Sequence, residues 1–209
     1  MSSNSPQTYF TFFSLPPKLA IDTAVLEKTF YALSRKLHPD RFAGKSATEQ
    51  EVALRESSLL NDAYRTLKDP IARTEYLLKL EGVELEEQSK AATEAARTTG
   101  KAKQQIVPPD LLEEAFELNM QLEEMRAAKK MGEDDPQLRK DLLAAKGGFD
   151  AKMQATQAEL EALWAKWDAG IDSNDSAAKA TARDAMVALL NRRSYLRNLV
   201  RDVNEALEG

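Results

Sequence analysis

The fold is decided by the stretch Leu26-Glu27-Lys28-Thr29-Phe30-Tyr31-Ala32-Leu33-Ser34-Arg35-Lys36-Leu37-His38-Pro39-Asp40-Arg41. Leu26, Phe30, Leu33 and Leu37 recur at spacings of four, three and four, the signature of one apolar helix face. Pro39 ends that face, because proline lacks an N–H and restrains the residue before it. Asp22 stands where an N-cap belongs, so the helix is read as 23–37. A second helical pattern runs from about Ser46 to Leu67 and buries Leu60, Ala63 and Leu67. His38-Pro39-Asp40 is thus a stiff polar turn in a 38–45 loop between two helices. Arg35, Lys36, Arg41 and Lys45 surround it, and a turn with that rim is read as a docking surface rather than core. The alternative is a helix-to-helix turn without function, since Pro and Asp favour turns for local reasons.

Outward from the turn, the period stays helical. Tyr9 to Phe13 forms a short aromatic helix before Leu15-Pro16-Pro17. Asp69-Pro70 breaks the 46–67 helix, and Pro70 opens another that carries Ala72, Tyr76, Leu77 and Leu80 to Gly82. Residues 83–107 are acidic, then rich in Ala, Thr, Lys and Gln, and are read as a linker. Pro108-Pro109-Asp110 opens the second region. Its first helix, 110–130, has a core stripe of Leu111, Ala115, Leu118, Leu122 and Met125. A second stripe of Leu112, Phe116 and Met120 is surplus to burial against neighbours. A helix over 135–167 is expected to continue, kinked, through Gly147-Gly148. Gly170 to Ser176 is read as a turn, and 175–207 as the last helix. Trp164 and Trp167 are read as core or cap of the resulting bundle, and Asn61 as a structural residue bonding nearby backbone. The expectation is an all-α chain with domains 1–82 and 108–209 joined by 83–107, the second an antiparallel three-helix bundle.

Composition bounds the chemistry. The 209 residues contain no cysteine and one histidine. That removes disulfides, zinc–cysteine sites and cysteine-ligated clusters. A catalytic His38 would need a nucleophile and an orienting group. The spacing of Asp40, two residues away across a proline, argues against the usual pair without a third element. Glycine-rich phosphate loops and metal-ligand spacings are absent. Neither a catalytic residue nor a metal or cofactor is therefore expected. Residues 1–80 carry 11 Lys/Arg against 9 Asp/Glu, and residues 81–209 carry 18 against 25. No concentrated basic face for nucleic acid results. No run of about 20 apolar residues spans a membrane, and Met1 to Thr8 does not read as a targeting segment. A cytoplasmic monomer is expected.

Residues 9–80 resemble a J-domain, the module by which DnaJ-type co-chaperones stimulate a DnaK-class ATPase. The resemblance rests on His38-Pro39-Asp40, together with Tyr9-Phe10, Leu15, Phe30, Leu37, Phe42, Ala63-Tyr64, Leu67, Asp69-Pro70 and Tyr76-Leu77. More narrowly, the chain resembles the HscB/Jac-type co-chaperones of iron–sulfur cluster biogenesis. Phe13-Ser14-Leu15-Pro16, His38-Pro39-Asp40-Arg41-Phe42, Asn61-Asp62-Ala63-Tyr64 and Arg73-Thr74-Glu75-Tyr76-Leu77-Leu78 carry that likeness, with the helical region after Pro108-Pro109.

The resemblance implies an L-shaped pairing of J-domain and three-helix bundle. It implies a DnaK/HscA-class partner at His38, Pro39, Asp40, Arg35, Lys36, Arg41 and Lys45. It also implies an IscU-type scaffold protein on Leu112, Phe116, Glu117, Met120 and Glu124, with Tyr195 extending that face from the last helix. Such a protein activates a partner ATPase and is not itself an enzyme. Glu113 and Asn119-Met120 depart from the family's usual residues, which points to an altered scaffold preference. Phe116 and Met120 as simple core remains the alternative. A generic J-domain co-chaperone for protein folding and a non-chaperone helical adaptor are the other readings of the whole.

Overall fold

The structure is a computed structural model and describes residues 7–83, 85 and 107–208. The linker reading for 83–107 therefore lies almost wholly outside the described residues. Among these the secondary structure is helical, with no strand. The chain divides into two compact units, 1–84 with 164–183, and 85–163 with 184–209. The tip of the last helical hairpin, which the sequence reading gives to the second region, thus groups with the first.

In the first unit, α1 is Tyr9–Phe12, α2 Thr23–Leu37, α3 Ala47–Lys68 and α4 Pro70–Leu80. Each start is chemically specified. Thr8 and Thr11 form a capping box on α1, and Asp22 accepts the N–H groups of Ala24 and Val25 at 2.9 and 3.1 Å on α2. Ser46 and Glu49 form a second capping box on α3. These hydrogen bonds hold the Glu49 carboxyl below its ordinary range. Asp69 caps α4 through Ala72 N at 2.7 Å, with Pro70 in the first turn. A side-chain acceptor at such a position satisfies amides that the helix itself leaves unpaired.

Helix α3 is the hub, packing against α1, α2 and α4. Phe10, Leu26, Ala53, Leu60, Ala63, Leu67, Leu77 and Leu78 are buried around it. Phe30, half-buried, stacks on Tyr64 with ring centroids 4.1 Å apart. Asn61 donates from Nδ2 to the Ser57 carbonyl at 2.8 Å, the local backbone bond expected of it.

Residues 164–183 complete this unit. The buried Asp168 carboxylate accepts the backbone N–H groups of Leu19 and Ala20, both at 2.9 Å. Arg73, also buried, donates to the Leu67 carbonyl at 2.7 Å, and its guanidinium lies 5.4 Å from the Trp164 ring. Burial draws the Arg73 guanidinium below its ordinary range. Trp164 and Trp167 are buried as expected of core residues, but the compact unit they belong to is the first.

The second unit is built from α5 (Leu112–Met131) and parts of α6 (Pro136–Asp172) and α7 (Ser176–Glu208). A short 3-10 turn at Pro109–Leu111 precedes α5, where the sequence reading has α-helix from 110. The core joins Leu111, Ala115, Leu118, Leu122 and Met125 to Leu138, Leu142 and Phe149 of α6 and Leu196, Leu199 and Val203 of α7. Gly132, at φ 73°, closes α5 in the left-handed conformation that glycine adopts without a Cβ penalty.

Two glycine readings meet the structure differently. Helix α6 continues through Gly147 and Gly148, so no loop forms there. The turn read at Gly170 to Ser176 is shorter, because α6 runs to Asp172 and α7 begins at Ser176. Asn174, at φ 54°, takes the left-handed position. Gly170 is helical for another reason: a Cβ there would lie 2.9 Å from Lys179 Cγ and 3.3 Å from Lys179 N. It is a close approach between helices, not a turn.

Candidate functional site

The first candidate surface is the joint between α2 and α3. His38 ends α2 with extended backbone, φ −60° and ψ 127°, the region that a following proline favours. Pro39–Phe42 then winds into a 3-10 turn, which the sequence reading leaves as loop. The turn closes on Arg41 N to His38 O at 3.0 Å. Gln50 Nε2 donates to the Ala43 and Lys45 carbonyls at 3.3 and 3.0 Å, tying the following loop to α3. Arg41 donates from Nη1 to the Arg35 carbonyl at 3.2 Å, capping the carbonyl end of α2. Cations at a helix C-terminus also complement its dipole.

The polar groups of this turn face outward. The side chains of His38 and Asp40 are 54% and 88% exposed, and Arg35, Lys36, Arg41 and Lys45 are exposed around them. Sequence spacing argued against the usual catalytic His–Asp pair across Pro39 without a third element. The tight 3-10 turn does bring Asp40 Oδ2 to 3.5 Å from His38 Nδ1, but that nitrogen is engaged at the Asp40 backbone N–H. Tyr31, 57% exposed and one turn before Arg35, borders the same rim and went unnoticed in the sequence. The available signal was its position off the 26-30-33-37 stripe, where an aromatic residue needs a reason.

The second candidate surface lies on α5. Leu112, Phe116 and Met120 are 60%, 66% and 60% exposed, each one turn from the next. The core alternative for Phe116 and Met120 is thereby excluded. Glu113, Glu117 and Glu124 are exposed along the same helix. At its base Asp110 pairs with Arg192, and Glu114 with Lys152 at 3.0 Å. The Arg192 hydrogen bond holds the Asp110 carboxyl below its ordinary range.

Tyr195 does not extend this ridge. It is 6% exposed and belongs to the core with Leu111, Ala115 and Leu118. Burial pushes its phenol above the ordinary range. Its position in α7, one residue from the fully buried Leu196, turns it inward.

No cluster of three or more metal-ligating side chains occurs among the described residues, nor any helix long and apolar enough to cross a membrane.

Four packed helices with a His-Pro-Asp turn between the second and third, followed by a helical bundle, have the fold of a J-domain joined to a helical region. No family model matches the chain. Co-chaperone protein HscB homologs from Neisseria meningitidis serogroups A and B are 54% identical over 76 residues, 36% of this chain. The match spans 46% of those relatives, less than half of their length. Chaperone HscB from Vibrio cholerae has a similar structure at TM-score 0.60 and 26% identity, covering 95% of this chain and 96% of that one. Human co-chaperone protein HscB gives TM-score 0.59 at 23% identity, covering 98% and 84%, a likeness of fold. The chain is thus similar to HscB co-chaperones, in sequence over 76 residues and in fold over nearly its whole described length.

Proposed function

We propose that this chain is an activator rather than an enzyme: it stimulates the ATPase of a DnaK/HscA-class chaperone and presents an IscU-type iron–sulfur scaffold to it. The observation that carries the first half is the His38-Pro39-Asp40 turn, with His38 and Asp40 exposed and a four-cation rim around them. Asp40 presents an 88% exposed carboxylate able to accept a charge-assisted hydrogen bond from a chaperone arginine. Arg35, Lys36, Arg41 and Lys45 meet acidic partner surface, so association slows as salt rises. Steady-state ATPase of the chaperone with Asp40→Asn or His38→Gln tests this. Stimulation is expected to be lost in both, and undiminished stimulation sinks the reading.

The second half rests on the α5 ridge. Exposed apolar side chains bordered by charge are a common form of protein-binding surface. Leu112, Phe116 and Met120 supply the apolar contact, and Glu117 and Glu124 favour a basic border on the scaffold. Truncating an interface anchor costs about 2 kcal/mol, some thirtyfold in affinity. Phe116→Ala is expected to weaken scaffold binding by about that factor in a calorimetric titration. Because Phe116 is exposed, its melting temperature should stay near wild type. A sharp drop in melting with normal binding overturns the assignment.

A further inference from the structure

The His38 ring makes a contact that a merely exposed docking residue has no need of. Nδ1 lies 3.3 Å from the backbone N of Asp40 and accepts its hydrogen bond, as the N-cap of the 3-10 turn. A main-chain N–H only donates, so Nδ1 carries the lone pair and the neutral ring holds its proton on Nε2. Histidine here does what Ser, Asp or Asn side chains do at ordinary N-caps. The same Nδ1 is 3.5 Å from the Asp40 carboxylate. A proton taken from solvent onto Nδ1 would place donor against donor at the amide. The new N–H would then have the Asp40 carboxylate as its acceptor.

We propose that neutral, Nε2-protonated His38 is the positioning residue of this turn: its Nδ1 holds the Asp40 amide and leaves the Asp40 carboxylate free for the chaperone. Protonation exchanges these partners and draws the carboxylate onto the imidazolium. Docking is therefore acid-sensitive through one side chain. The charged neighbours are Asp40 and Arg41 in the turn, Arg35 and Lys36 in the last turn of α2, and Lys45 beyond. Arg41 is engaged at the Arg35 carbonyl. On α3, which packs against the turn, Glu49 is bonded to Ser46 and Glu51 pairs with Arg55. The activity consequence rests on the chaperone reading above; the positioning itself does not.

The test begins with an NMR pH titration of the full chain uniformly labelled with 15N, whose single imidazole gives one set of side-chain signals. The Nε2–H tautomer is expected at high pH, and the Asp40 amide proton should move with the imidazole midpoint. A predominant Nδ1–H tautomer, or an Asp40 amide that ignores the titration, overturns the proposal. Chaperone ATPase is then measured over its own basal rate. Stimulation should fall about tenfold from one pH unit above the measured midpoint to one below, as the neutral fraction does. His38→Asn places a non-titrating acceptor near Nδ1. It should recover at least threefold over His38→Ala and flatten the pH profile. No recovery, or an acid fall that persists in His38→Asn, overturns the proposal. If wild type stimulates no chaperone at any pH, the proposed function fails, while the NMR result still decides the role of His38.

Discussion

Asp168 and Tyr195 show what single side chains decide beyond sequence pattern. Asp168 lies on a helix rich in charged residues, and nothing in its spacing marks it out. Its role follows from a contact 149 residues away, where it accepts two adjacent amides beside Leu15-Pro16-Pro17. An amide buried without an acceptor costs about 1–3 kcal/mol. Asp168→Ala is therefore expected to destabilise the protein by about 2–4 kcal/mol in urea unfolding, with His38 and its rim untouched. Tyr195 was misplaced because helical spacing gives a residue's angle on its own helix and not which neighbour covers it. Its burial in the bundle core makes Tyr195→Ala cost about 3 kcal/mol. Tyr195→Phe keeps the ring and should retain both the melting temperature and scaffold affinity. A large loss of affinity in a normally melting Tyr195→Phe would restore the residue to the binding face.

At the scale of elements, most of the fold was legible. The bounds of α2 follow from Asp22 and Pro39, and those of α4 from Asp69-Pro70 and Gly82, because caps and prolines act locally. The surplus stripe of α5 was legible too, since a helix with five core residues on one face has no use for Leu112, Phe116 and Met120 on another. Glycines were the least legible, because the same residue serves different ends. Gly147 and Gly148 are exposed within α6, with nothing within 4 Å of an added Cβ. Glycine in a helix interior costs about 1 kcal/mol against alanine. Gly147→Ala and Gly148→Ala should each stabilise by about that amount, read as a higher urea midpoint. Gly170→Ala should do the reverse, because the added methyl meets Lys179 at Cγ and at its backbone. Overpacking of that kind costs about 1–3 kcal/mol. Equal signs at all three positions would show that local helix propensity, not inter-helix approach, governs Gly170.

For the molecule as a whole, the question is what the J-domain needs in order to fold. Sequence pattern makes 1–82 look self-sufficient, because each of its helices has its own cap and apolar stripe. The compact unit is larger and takes in Trp164–Arg183 from the far end of the chain. Arg73 rests beside Trp164, Leu19 and Ala20 donate to Asp168, and Glu81 pairs with Lys179 at 3.6 Å. Such partners are invisible to a periodicity argument, which sees only neighbours in sequence. Without them a buried guanidinium and two amides lose their surroundings, while α1–α4 keep theirs. A fragment ending at residue 84 should therefore still be helical by circular dichroism but unfold at a clearly lower urea concentration than the same residues in the full chain. Amide exchange should locate the loss, with Leu19 and Ala20 exposed to exchange first and the α2–α3 core last. A fragment that protects Leu19 and Ala20 as well as the full chain does would show that residues 164–183 contribute little to the unit.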